Sequence, residues 1–164
     1  MPASMPEPAL TYLQLRERVL HLDPVRLNLA PSAATPHVWG VLVETGYEVG
    51  TATLVSLADG TTSLYYSTGG GLLGSSDYSP LAEASQNLVL QAEKFLHHMS
   101  QSVGDLPLPA VDQVSFIFLT FYGIVSTQAP EQRLTSGKHV LSPLFMDARA
   151  ILEQLRILAD KKHT

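Results

Sequence analysis

The hydrophobic pattern divides the chain into segments of two periods. Residues 8–22 carry Tyr12, Leu15, Val19 and Leu22 at helical spacing, with Thr11 and Gln14 in capping-box register, and Asp23-Pro24 closes the segment. A Pro-rich connection, residues 23–36, follows. Residues 38–44 form a nearly unbroken apolar run, the signature of a strand covered on both faces. Residues 51–58 and 61–67 are rich in Thr, Val, Leu and Tyr, and Asp59-Gly60 between them predicts a tight hairpin. The period returns to helical over residues 80–101, where Ser79 and Pro80 suit a helix start and Leu81, Ala84, Leu88, Ala92, Phe95, Leu96 and Met99 share one face. After a turn-rich stretch, residues 104–109, a buried strand is expected at 113–121, with a return strand at 124–128. A loop of about fifteen residues then reaches Ser142-Pro143 and a last helix, residues 143–159.

Helix, three strands, helix, one or two strands, helix is an α+β order dominated by hairpins. It predicts one mostly antiparallel sheet of four to five strands with three helices packed on it. At 164 residues the chain fits one domain, with an N-terminal helix (8–22), the connection (23–36) and a core (37–160).

Composition narrows the function classes. There is no cysteine, which excludes disulfides, thiolate metal sites and a cysteine nucleophile, and fits a cytoplasmic location. No export signal is read at the N-terminus, and no apolar run approaches the roughly 20 residues of a membrane helix, so no membrane partner is expected. The net charge is −5, and a single basic residue, Lys94, lies between Leu27 and Gln132. An acidic middle argues against nucleic acid, which needs clustered Lys and Arg. Only 15% of residues are charged against 45% apolar, below the roughly 25% charge of an average domain. Such a chain tends to leave an apolar patch or a bare strand edge, and a two-fold dimer covers either, so a homodimer is expected.

Gly69, Gly70, Gly71 and Gly74 satisfy G-x-G-x-x-G after a strand. A dinucleotide site would need the helix to begin at the last glycine, and Ser75 to Ser79 intervene, so no nicotinamide cofactor is expected. A nest of amides holding an anion and a bulged strand exit are the two remaining readings. The late loop mixes Arg133, Lys138 and His139 with Thr135, Ser136 and Ser142, a set able to hold a carboxylate or phosphate if it is not simply a solvated loop. His97 and His98 are adjacent and splay apart on a helix, and Glu93 with His97 reads as surface support, so no metal site is expected. Glu44 and Glu48 beside Tyr47 read as a solvated hairpin tip. Tyr65, Tyr66, Phe116, Phe118, Phe121 and Tyr122 read as core packing rather than a base-stacking surface, because no Lys or Arg interleaves them. No catalytic constellation emerges.

An apolar strand, the Asp59-Gly60 hairpin, a strand running into the small residues 67–71 and a long amphipathic helix together resemble the roadblock/dynein light chain family of small dimeric α/β modules. The likeness is one of element pattern, covers roughly residues 38–158, and implies a similar layered fold and a dimer. The function expected is therefore a non-enzymatic protein-interaction or dimerisation module. The alternative is a small-ligand or nucleotide-binding protein, or an enzyme, that uses the Gly69–Gly74 loop or the Arg133–Ser142 loop.

Overall fold

In the computed structural model, residues 5–74, 79–101 and 104–162 are described. The element order is α1 (Leu10–Leu20), β1 (Val38–Tyr47), β2 (Gly50–Leu57), β3 (Thr62–Tyr66), β4 (Gly71–Gly74), α2 (Ser79–Lys94), a 3-10 turn (Leu96–His98), β5 (Ser100–Gln101), β6 (Gln113–Thr120), β7 (Gly123–Pro130), α3 (Glu131–Thr135) and α4 (Ser142–Lys162). The fold is α+β, and all strand pairings are antiparallel.

The sheet has seven strands in the order β4-β3-β2-β1-β6-β7-β5. That exceeds the four to five expected from the sequence, because two short strands were hidden. β4 lies inside the glycine-rich stretch, and β5 is a pair of residues at the end of the expected second helix. That helix stops at Lys94 rather than at 101, because the next turn tightens: the Phe95 and His98 amides reach back three residues, to Ala92 and Phe95. The late loop contains a fourth helix, α3. At the N-terminus the Thr11–Gln14 capping box is not formed, since Ala9 is the N-cap and no side chain caps the helix. The Ser79 side chain, expected as the cap of α2, lies outside those described.

β1 is buried along nine of its ten residues, and its side chains alternate between two cores. Val38, Val41 and Val43 join Leu54, Leu64, Phe116 and Phe118 beneath α2 and α4, where Leu81, Leu88, Leu144, Ile151 and Leu155 meet them. Trp39 and Leu42 join Val55, Leu57, Ile117 and Leu119 on the opposite face, beneath Tyr12 and Val19 of α1. An irregular step between Val38 and Gly40 places Trp39 on that face. Beneath α2 a hydroxyl cluster, Ser56, Ser85 and Thr62, satisfies its own polar atoms. Gly46 is required where the chain crosses β1: a Cβ there would strike the Ala110 backbone, and the Gly46 carbonyl accepts from the Asp112 amide at 2.9 Å. Among the described residues no helix is long and apolar enough to cross a membrane.

Candidate functional site

The glycine motif is a hairpin and an edge strand. The Tyr66 amide donates to the Gly70 carbonyl at 3.1 Å, and the Gly69 amide donates to the Tyr66 carbonyl at 2.9 Å. Gly69 has φ +107°. This is a three-residue hairpin loop closed by a left-handed residue, the geometry that selects glycine. A Cβ added at Gly69 or Gly70 would meet nothing within 4 Å, so the tip of the turn is open there. Gly71 begins β4, where an added Cβ would strike the Leu64 carbonyl, and Gly74 ends it opposite Thr62.

Hydrogen-bonded and open pairs alternate along an antiparallel ladder. Since Tyr66 and Gly70 are bonded, Leu64–Leu72 and Thr62–Gly74 are bonded too, and the backbone groups of Gly71 and Leu73 point away from β3. β4 is the last strand on its side, and among the described residues nothing pairs with its outer edge. Its sequence, Gly-Leu-Leu-Gly, has neither charge nor proline.

Arg133, Lys138 and His139 come together, but mainly on one another's backbone. Arg133 Nη2 donates to the Lys138 carbonyl at 3.4 Å, and the Lys138 amide donates to the Arg133 carbonyl at 3.0 Å. His139 Nδ1 accepts from the Leu141 amide at 3.0 Å, and its own amide donates to Ser142 Oγ at 3.2 Å. Burial lowers the His139 pKa, and the nearby Arg133 and His98 charges lower it further, which favours the neutral ring that this acceptor role needs. Arg133 follows β7, four strand spacings from β3, or roughly 19 Å. The glycine hairpin and the Arg133 loop therefore lie on opposite sides of the sheet.

Two acid–base pairs join positions far apart in sequence. Glu44 is not at a solvated tip: it is fully buried in β1, while Glu48 stays exposed in the turn. Arg16 of α1 grips it with both ends of its fork, Nε to Oε2 at 2.7 Å and Nη2 to Oε1 at 2.8 Å. Thr53 donates to Oε2 at 2.8 Å, so the Tyr12 hydroxyl, 2.7 Å from Thr53 Oγ1, is the donor in that last link. Burial would pull the Arg16 pKa down, but the hydrogen bonds and charge of Glu44 outweigh it and raise it. Burial, then the Glu44 charge, pushes the Tyr12 hydroxyl up to about 12.

Glu93 is not paired with His97 as the spacing suggested. Its Oε1 accepts from the His37 and Val38 amides at 2.7 and 3.0 Å, and its Oε2 lies 3.1 Å from His37 Nδ1. The His37 ring lies 5.9 Å from the ring of Tyr122, at the β6–β7 turn. A cleft of about 280 Å³ opens between them. Tyr65, Phe116 and Phe118 are core residues, as the strand pattern implies, but Tyr66 and Tyr122 are not: they are 37% and 77% exposed. Among the described residues no group of three His, Asp or Glu side chains is placed to hold a metal. Compared with protein-family models, curated proteins and solved structures, the chain matches none.

Proposed function

We propose that this chain is a non-enzymatic interaction module that assembles as a homodimer through the outer edge of β4. The observation that carries the reading is the character of that edge: four uncharged residues whose outward amides and carbonyls have no partner among the described residues. Proteins usually guard such an edge with charge, proline, a bulge or a covering element, because a bare edge pairs with other chains. The opposite edge is guarded. There β5 covers Val125 and Ser126, and β7 ends in Pro130. Antiparallel pairing of two β4 strands about a two-fold axis would satisfy both copies with the same contacts. The internal bonding of Arg133 and His139 also supports a binding role over chemistry at that loop. The roadblock-like element order agrees with a dimer, and the cysteine-free composition agrees with a cytoplasmic setting.

Light scattering at micromolar concentration tests the assembly. The wild-type chain is expected at the mass of two chains. Leu73→Pro removes an outward amide and leaves the β3 ladder intact, so it should give the mass of one chain with a cooperative melt. Leu73→Ala, which keeps the amide, should stay dimeric. A wild-type mass of one chain at every concentration overturns the reading, and so does a dimeric Leu73→Pro.

A further inference from the structure

The cleft at the start of β1 has a chemistry that the assembly does not use. Its lining includes His37, Leu96, Gln101, Tyr122, Ile124 and Val125, and among the described residues no Asp, Glu, Lys or Arg contributes to the wall. The Glu93 carboxylate lies behind the imidazole and is only an acceptor, so its contact fixes the proton of the neutral ring on Nδ1. Nε2 then carries the lone pair and has no hydrogen-bond partner among the described residues. A carboxylate behind an imidazole orients the ring and sets its tautomer. Also lining the cleft are the exposed Tyr122 ring, Leu96 and Val125 from one face of the sheet, and Ile124 from the opposite face.

We propose that this cleft binds a small, uncharged aromatic molecule of the phenol class, whose hydroxyl donates to His37 Nε2 and whose ring packs against Tyr122. Each part of the description has its own cause. The volume of about 280 Å³ lies just below the roughly 300–1,000 Å³ of typical ligand pockets, which selects a single ring. The wall without charged side chains selects a neutral ligand. The free acceptor, backed by Glu93, selects a hydroxyl donor over an ether or a hydrocarbon. Glu93 also ties α2 to the first amides of β1, a structural task that needs its carboxylate but not an exposed imidazole or Tyr122.

Amide-resolved NMR titration of the full chain with phenol, anisole, toluene and benzoate decides the matter. Phenol should give saturable shifts at Gln101, Tyr122 and Ile124, with anisole and toluene weaker by about tenfold, the equivalent of 1.4 kcal/mol for the lost hydrogen bond. Benzoate should bind no better than anisole. His37→Phe should abolish the preference for phenol over anisole, whereas Tyr122→Ala should weaken both alike. No saturable shift with phenol up to its solubility limit overturns the proposal. Equal binding of phenol and anisole to the wild-type chain, a preference for benzoate, or a phenol preference that survives in folded His37→Phe does so too. If His37→Phe does not fold, the wild-type ligand comparison still decides. None of these outcomes depends on the β4 edge, which the light-scattering masses test separately.

Discussion

Two acid–base pairs tie a helix to β1, and they meet opposite fates. Arg16–Glu44 joins α1 to the middle of the strand, with side chains 8% and 0% exposed. His37–Glu93 joins α2 to the residue before the strand, with side chains 47% and 13% exposed. In the first pair both carboxylate oxygens are held and the chain of donors runs on to Tyr12. In the second the carboxylate is held just as well, but the imidazole keeps one nitrogen toward a cleft. The same chemistry is structural where every side is closed and available for binding where one side is open.

The largest expected effect lies in the closed pair. Arg16→Met strands a carboxylate in the core and should cost about 3–5 kcal/mol in urea unfolding. Arg16→Met/Glu44→Leu removes both charges and should recover much of that loss, since the penalty belongs to the unpaired charge rather than to the missing bond. A loss below about 1 kcal/mol for Arg16→Met would place the pair among solvent-screened ones and erase the contrast.

Tyr12 gives a smaller effect with a pH signature. Its hydroxyl is raised from 10.0 to about 12, so the folded state favours the neutral form. The stability it contributes is complete below pH 10 and is lost as pH rises toward about 12. Tyr12→Phe should cost about 0.5–1.5 kcal/mol at neutral pH and flatten the alkaline decline of the urea midpoint relative to wild type. Parallel declines in the two proteins would show that Tyr12 is not held neutral by the fold.

The smallest effect belongs to the open pair. His37→Gln should change stability by only about 0–1 kcal/mol, because the pair is half in solvent and Glu93 keeps its two backbone amides. A loss as large as that of Arg16→Met would mean that the imidazole is a structural strut.

The strands of the core were legible because their burial is written into short apolar runs. β1 reads as a two-faced strand and is one, and Asp59-Gly60 predicts a hairpin that forms, though as a three-residue loop in which Gly60 at φ +92° but not Asp59 is left-handed, rather than as a two-residue type I′ turn. β4 was not legible, because glycine weakens strand patterning and Gly69 to Gly74 also fits a phosphate-loop expression. Its role emerges only once the Tyr66–Gly70 bond closes the hairpin. The acid–base pairs were invisible for another reason: their partners stand 28 and 56 positions apart. A signal for the first was nevertheless present. Arg16 falls four residues after Tyr12 and three before Val19, on a stripe that is otherwise apolar, and Glu44 interrupts an apolar strand. Two opposite charges, each alone on a buried surface, call for each other. His37 offers no such signal, because it sits in a polar approach to β1 and its partner lies on the mixed side of an amphipathic helix.

Amide hydrogen exchange at Gly71 and Leu73 tests the proposed assembly most directly, because it reads the β4 edge itself. Both amides face away from β3, so in a lone chain no sheet hydrogen bond slows their exchange. If β4 pairs with its copy, exchange at these two positions slows and the protection grows with protein concentration, while Leu72, already bonded to β3, is protected throughout. Fast exchange at Gly71 and Leu73 at concentrations where light scattering shows a dimer would place the interface elsewhere and contradict assembly through β4.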